Sequence, residues 1–204
     1  MNEIVLATGN KGKIKEIREL LTGLDFSVLT LEDFPELEMP PEEASSFKEN
    51  ALIKARYAAE ATGLMVLADD SGLEVLGLAG APGVLSARFA GVAATDDENI
   101  DKLIEETTAM SKDNRRARFV CALAFVEPAL ESGATSVKES IFEGTLDGLI
   151  IPERRGEGGF GYDPVFFVPD LERTTAELTR EEKNKISHRG KALVKFRAYL
   201  QGTA

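Results

Sequence analysis

Asp69 and Asp70 are the adjacent pair in this sequence that most directly suggests chemistry. They lie in Ala68-Asp69-Asp70-Ser71-Gly72, after the apolar run Leu64-Met65-Val66-Leu67 that predicts a buried strand. Neighbouring carboxylates repel, and burying either one without a partner costs several kcal/mol. A hard cation removes that cost. Mg²⁺ takes carboxylate oxygens and keeps positions open for water and phosphate. Gly72 would let the backbone turn or admit a ligand closely. The stretch therefore reads as a metal-and-phosphate site where a strand runs out into a loop. The same five residues also fit a polar turn, which Asp and Ser favour on their own.

A second candidate is the loop Thr8-Gly9-Asn10-Lys11-Gly12-Lys13. Residues 4–7 predict a first strand. Ile14, Ile17, Leu20 and Leu21 then recur at helical spacing up to Gly23, with Asn10 as the N-cap. Lys11, Lys13 and Lys15 fall in the first turns, where cations oppose the helix dipole. An oxyanion bound at the helix start resolves that conflict. Solvated lysines that forfeit about 0.3 kcal/mol each are the alternative. Gly12-Lys13 resembles part of a P-loop. However, Ala7 stands where the leading glycine belongs and Ile14 where the Ser or Thr belongs, which excludes a standard Walker A loop.

The remaining elements frame these two stretches. Residues 26–30 predict a second strand. Ser46-Phe47-Lys48-Glu49 forms a capping box for a helix that closes at Gly63. Ala51, Leu52, Ala55, Ala58 and Ala59 give it a thin apolar face. Glu42-Glu43 precedes that helix, and on its own reads most simply as solvated acid. Residues 73–78 predict more strand or ribbon. Arg88 is the lone charge in a stretch of small residues, suited to a phosphate, a carboxylate or a structural ion pair. Thr95-Asp96 caps an acidic helix whose charged face reads as solvated surface. Residues 118–126 and 137–143 predict an antiparallel pair of strands joined through Gly133.

Gly156, Gly158 and Gly161 satisfy G-x-G-x-x-G, but the run continues into Asp163-Pro164 and an apolar strand rather than a helix. A dinucleotide fingerprint is thereby excluded. Phe160 and Tyr162 offer an aromatic face to a base, although a glycine-rich hairpin with core aromatics is the simpler reading. Ser187 predicts the N-cap of a last helix carrying His188, Arg189 and Lys191 at its start and Leu193, Val194, Phe196 and Leu200 on its apolar side.

Composition sets outer bounds. The chain has 204 residues, 43% hydrophobic and 29% charged, which suits one α/β domain or two intimate lobes. A net charge of −11 argues against duplex nucleic acid as a partner, since that needs a basic footprint. Any positive charge for an anionic substrate has to be local. Cys121 is the only cysteine and lies in an apolar run. Disulfides within the chain and Cys-based zinc sites are out, and a reducing cytoplasm is expected. The run Ile4–Ala7 is too short for a signal peptide, and no run approaches a membrane span.

Ala7-Thr8-Gly9-Asn10-Lys11-Gly12-Lys13, Ala68-Asp69-Asp70-Ser71-Gly72-Leu73, Gly158-Gly159-Phe160-Gly161-Tyr162-Asp163-Pro164 and Ser187-His188-Arg189-Gly190 occur in the order expected of the inosine triphosphate pyrophosphatase family. That family includes the Ham1 and RdgB proteins. The resemblance runs from Ile4 to the last helix. Each motif is unspecific alone, and the combination is highly specific.

The resemblance implies a Mg²⁺-dependent hydrolase that splits ITP, dITP and XTP into the monophosphate and pyrophosphate. It implies an elongated α/β fold with a long mixed sheet and two lobes around a cleft, formed by one domain over residues 1–204, and usually a homodimer. By the same resemblance, Thr8, Gly9, Asn10, Lys11, Gly12 and Lys13 match the triphosphate cradle. Asp70 matches the general base and metal ligand, with Asp69 a second ligand beside it and Glu42 the upstream metal-binding glutamate. Ser71 resembles a substrate contact. Phe160, Gly161, Tyr162 and Asp163 resemble the base-binding wall, Lys183 a substrate-binding lysine, and His188 with Arg189 the pair that reads the purine's keto edge. One departure is that the family often has Gly-x-Thr-Phe where this chain has Ala44-Ser45-Ser46-Phe47, with Ser46 supplying the hydroxyl. The rival within the same chemistry is a Maf-like pyrophosphatase for pyrimidine or modified nucleotides. A nucleotide sensor without turnover is the rival from another class.

Overall fold

The structure is a computed structural model that describes residues 2–128 and 137–202. The turn expected at Gly133 and the side chain of Leu20 lie outside what is described. Strand β1 (Asn2–Leu6) buries Ile4, Val5 and Leu6 completely. Helix α1 (Lys11–Leu21) starts where expected, with Asn10 Oδ1 accepting from the Lys13 N–H at 3.1 Å. Strand β2 (Phe26–Thr30) and helix α2 (Phe47–Thr62) follow. Ser46 Oγ caps α2 by accepting from the Glu49 N–H, and Gly63 closes it at φ 68°.

Strand β3 (Met65–Val75) departs from expectation. It runs straight through Asp69, Asp70 and Gly72 instead of ending at the aspartates. The cause is the apolar alternation beyond them. Leu73 and Val75 are fully buried and continue the strand pattern. Gly72 has no positive φ and makes no turn. Helix α3 (Asp96–Thr107) begins with a reciprocal capping box between Thr95 and Glu98. Strands β4 (Arg116–Glu127) and β5 (Lys138–Ile150) follow, β5 extending seven residues past its expected end. The short strands β6 (Phe166–Val168) and β7 (Arg173–Thr174) precede helices α4 (Arg180–Ile186) and α5 (His188–Leu200). Sequence patterning did not anticipate β7 or α4, both too short to show a period.

Among the described residues seven strands form one mixed sheet in the order β2-β1-β3-β4-β5-β6-β7. β1 is parallel to β2 and β3, with Leu6 opposite Leu67. β5 and β6 are antiparallel, as are β6 and β7.

The chain divides into two compact units. The first comprises Met1–Asp70, Ala122–Glu143 and Ala192–Ala204, the second Ser71–Cys121 and Gly144–Lys191. In the first, Ile4, Leu6, Ile17, Leu67, Leu123 and Phe125 are almost wholly buried, and Phe125 lies 4.9 Å from Phe196 between ring centroids. The second has its own apolar cluster, including Leu73, Val75, Ile100, Leu103, Phe119, Ile150, Tyr162 and Phe166. Phe119 lies 4.3 Å from Phe166 in that cluster.

Within the second unit, α5 starts hard against α4. A Cβ built on Gly190 would lie 1.9 Å from the Asn184 carbonyl oxygen. Gly190→Ala is therefore expected to destabilise the chain by roughly 2 kcal/mol, because a backbone atom has to give way. Thermal unfolding checks this, and an unchanged midpoint would mean that α5 slides off α4 without loss.

Candidate active site

In the first unit the loop between β1 and α1 presents an 11-residue helix N-terminus. Gly9, Asn10 and Lys11 are exposed, Gly12 and Lys13 are half-buried, and Thr8 Oγ1 accepts from the Asn10 N–H at 3.2 Å. Lys13 does not hang free over this terminus. Its ammonium is paired with the Asp69 carboxylate, which is completely buried. Part of the lysine–dipole conflict is thus resolved by a carboxylate of the chain itself.

Successive residues of a strand point to opposite faces, and the two aspartates have different partners accordingly. Asp70 takes its hydrogen bonds from α2. Its Oδ2 accepts from Asn50 Nδ2 at 3.2 Å and its Oδ1 from Lys54 Nζ at 3.2 Å. Lys54 Nζ also donates to Glu42 Oε1 at 2.6 Å and to the Asp69 carbonyl at 2.8 Å. Lys54 is 7% exposed, so its three oxygens take over the role of its hydration shell. Asn50 Oδ1 accepts from the Ala44 N–H, fastening the segment that carries Glu42 to the start of α2. Glu43, in contrast, is exposed. Burial, reinforced by Glu42, pushes the Asp70 carboxyl up to about 6, against the opposing pull of Lys54 and Lys13. Burial works against charge on Lys54 as well, but Asp70 and Glu42 outweigh it and hold its pKa above the ordinary value.

Sequence reasoning missed Asn50 and Lys54. The signal was present. Asn50, Lys54 and Ala58 are four residues apart on the alanine face of α2, and a lysine in the buried stripe of a helix needs an anion inside.

In the second unit, Asp163 is the hub. It is 2% exposed. Its Oδ2 accepts from Lys183 Nζ at 2.6 Å and from the Phe160 N–H at 2.8 Å, and its Oδ1 accepts from Thr175 Oγ1 at 2.8 Å. Gly159 makes this possible: its φ is 77°, and a Cβ there would meet Asp163 Oδ2 at 1.9 Å. Lys183 Nζ lies 5.0 Å from the Phe160 ring centroid, and the Arg189 guanidinium lies at 5.6 Å. Arg189 is 2% exposed and donates to Ser71 Oγ at 2.9 Å. His188 is buried and stacks on Phe119 at 4.8 Å.

Several of the expected site residues have partners within the chain. Tyr162 is not part of an open aromatic wall. It is 5% exposed, joins the apolar cluster, and donates its hydroxyl to the Ser86 carbonyl at 2.8 Å. Asp163 organises the lysine and the Phe160 backbone instead of facing outward. Ser71 has Arg189 as its partner. Gly161 donates its N–H to Asp96 Oδ2.

Among the described residues no group of three or more His, Cys, Asp or Glu side chains is arranged to hold a metal. Glu42 and Asp70 do converge, on Lys54. Two carboxylates completed by water and phosphate oxygens suit a small hard divalent ion. The Asp69 carboxylate next to them is paired with Lys13 of α1. The adjacent aspartates thus form two ion pairs, with lysines from two helices.

Residues 4–199 match the Ham1 family model. The chain is 50% identical over 201 residues to the dITP/XTP pyrophosphatase of Thermus thermophilus, covering 98% of this chain and 93% of that protein. Among solved structures it is similar to a HAM1 protein from Coxiella burnetii, with a TM-score of 0.88 and 45% identity, covering 99% of this chain and all of that one. The Staphylococcus aureus Ham1 protein matches with a TM-score of 0.85 and 41% identity over the full length of both chains.

The raised Asp70 pKa has a stability signature. The folded chain holds this proton more tightly than the unfolded chain does. The resulting stabilisation is complete below about pH 4 and lost as pH rises through about 6. The loss amounts to about 3 kcal/mol at most. In EDTA, Asp70→Asn should therefore unfold at a higher temperature than the parent at pH 7.5 but not at pH 4. A difference that stays constant across that range would show that ionising Asp70 costs the fold nothing.

Proposed function

The chain belongs to the Ham1 family, and from that premise we propose that it is a nucleoside triphosphate pyrophosphohydrolase for deaminated purine nucleotides. Its substrates are ITP, dITP and XTP, its products the monophosphate and pyrophosphate, and its role the removal of these purines from the nucleotide pool. The observation that carries this reading is the set formed by buried Asp70 and Lys54 with half-buried Glu42, with the Lys13–Asp69 pair on the neighbouring residue. A passive binder of nucleotides has no use for a buried carboxylate poised near neutral pH.

The phosphate end of the substrate belongs to the first unit. The exposed N-terminus of α1 and Lys11 and Lys13 supply donors and positive charge for a polyanion. Glu42 and Asp70 are the metal ligands in this reading. They would hold Mg²⁺, which would supply neutralisation of phosphate charge and polarisation of the phosphoryl oxygens. Asp70 takes a proton from the water that attacks the α-phosphorus, and the bond from that phosphorus to the bridging oxygen breaks as pyrophosphate leaves. Asn50 and Lys54 hold the Asp70 oxygens in place for that transfer.

The base belongs to the second unit. Phe160 stacks on the purine, worth about 1–3 kcal/mol. His188 and Arg189 donate to the oxygen at C6, and Ser71 aims the guanidinium. An adenine amino group at C6 leaves those donors unpaired, which disfavours ATP. Lys183 adds a cation held beside the ring by Asp163. Tyr162 and Asp163 shape this half without touching the base.

In the same reading the chain is one functional domain, since each unit is assembled from segments distant in sequence. It works as a cytoplasmic homodimer, as members of the family usually do. The buried lone Cys121 suits a reducing compartment. Among the described residues no helix is long and apolar enough to cross a membrane.

Pyrophosphate release from ITP, XTP, GTP, ATP and dTTP, each with Mg²⁺ and with EDTA, tests the proposal. Release from ITP and XTP that requires the metal, with little from the others, is expected. Release mainly from dTTP would overturn the purine reading, and ITP binding without any release would overturn hydrolysis. Asp70→Asn should lower kcat roughly 10²–10⁴-fold while the protein stays folded. Near-normal turnover would remove Asp70 from the role of base.

A further inference from the structure

The peptide groups on either side of Phe160 are both held by aspartates. The Phe160 N–H donates to Asp163 Oδ2 at 2.8 Å, from within the second unit's interior. The next N–H along the chain, that of Gly161, donates to Asp96 Oδ2 at 2.7 Å. Asp96 is the first residue of α3, and its side chain comes from a different part of the sequence than the rest of the Phe160 setting. The same helix holds the start of the glycine-rich loop. Arg154 is paired with the Asp97 carboxylate, donates to the Asp97 carbonyl at 3.0 Å, and donates to Asp101 Oδ1 at 2.6 Å.

Helix α3 is well placed to serve as a fixed support. Its N-terminus is locked by the Thr95–Glu98 capping box. One turn later the buried Asn99 accepts from the Ala90 N–H at 2.8 Å and donates to the Ala87 carbonyl at 3.3 Å. Ile100 and Leu103, at i+4 and i+7 from Asp96, anchor the helix in the apolar cluster. The loop from Arg154 to Gly161 is therefore clipped at both ends to one rigid turn. Gly161 sits at φ 58°, a left-handed conformation, and its N–H points at the Asp96 carboxylate.

We propose that Asp96 is a positioning residue for purine recognition: by accepting from the Gly161 N–H it fixes the backbone that carries Phe160, and so the place of the ring on which the base stacks. This rests on Phe160 being the base platform, as set out under the proposed function. It gives the acidic first turn of α3 a task beyond solvation and helix-dipole complementarity. The two explanations make opposite demands on the side chain. A dipole role needs the negative charge, which Asn lacks. A positioning role needs an acceptor oxygen at that place, which Asn keeps.

The test compares Asp96→Ala and Asp96→Asn in the full-length protein with Mg²⁺. KM and kcat are measured for ITP, together with inhibition by inorganic tripolyphosphate, which carries the phosphates without a base. Asp96→Ala is expected to raise KM for ITP about 5- to 10-fold, the loss of one hydrogen bond to a charged acceptor at an exposed site, with kcat within about 2-fold and the tripolyphosphate inhibition constant unchanged. Asp96→Asn is expected to stay within about 2-fold of the parent in all three. Equal losses in both variants, or a matching rise in the tripolyphosphate constant, would overturn the proposal in favour of a general structural role. Phe160→Ala serves as the control for the reading beneath it. If that variant keeps the parent KM for ITP, the base platform itself is wrong. If it raises KM while Asp96→Ala does not, the platform stands and the role of Asp96 falls.

Discussion

Burying two consecutive carboxylates in the middle of a strand is the constraint on which the rest of the first unit depends. Asp69 and Asp70 are 1% and 5% exposed, and two unpaired anions at that depth would unfold a chain of ordinary stability. The strand's own alternation separates them. One carboxylate is delivered to α1 and the other to α2, and each helix must then offer a lysine at the right turn. Lys13 and Lys54 are those lysines. The alanine face of α2 follows from this. Small side chains at Ala51, Ala55 and Ala58 let the helix come close enough to the sheet for Lys54 to reach Asp70, and Asn50 then fixes the second oxygen of the same carboxylate.

The second unit meets a similar requirement with a different device. Asp163 is also almost fully buried, and its two oxygens are shared among a lysine, a threonine hydroxyl and a backbone N–H. The glycines of the run from 156 to 161 serve this carboxylate at least as much as they serve any ligand. Gly159 leaves room for Asp163 Oδ2, and Gly158 passes 2.8 Å, measured from a Cβ built on it, from the Ala176 carbonyl. A G-x-G-x-x-G pattern that has nothing to do with a dinucleotide is thus explained by close packing of a loop on its own aspartate.

What the sequence made legible was local. Asn10, Ser46 and Thr95 each announced a helix start, because a cap is decided by residues three apart. The motifs drew attention to Asp70, Lys183 and Arg189, all of which are buried. Two kinds of feature stayed hidden. One was the continuation of β3 through the aspartates, which depends on lysines supplied from two separate helices to make buried charge tolerable. The other was the choice of partner at positions whose residue type was already noticed. Tyr162 turned to Ser86 and Ser71 to Arg189, and the acidic face of α3 to the Phe160 loop. Such pairings join residues 65 to 118 positions apart, and no local pattern encodes them. Lys54 lies between these cases, since its place in an alanine stripe was visible and only its meaning was not.

Two lysines of the first unit, Lys13 and Lys54, already hold internal counter-ions. Lys13 is bound to a buried carboxylate, and Lys54 is shielded from solvent by three oxygens. Nucleotide binding at such a site is an exchange of partners. On the proposed function, a phosphate would compete with Asp69 for Lys13, and few solvent ions would be released when it wins. Buried pairs are also screened less than exposed ones. On the proposed function, affinity for a highly charged substrate would therefore depend on ionic strength more weakly than the number of nearby lysines suggests.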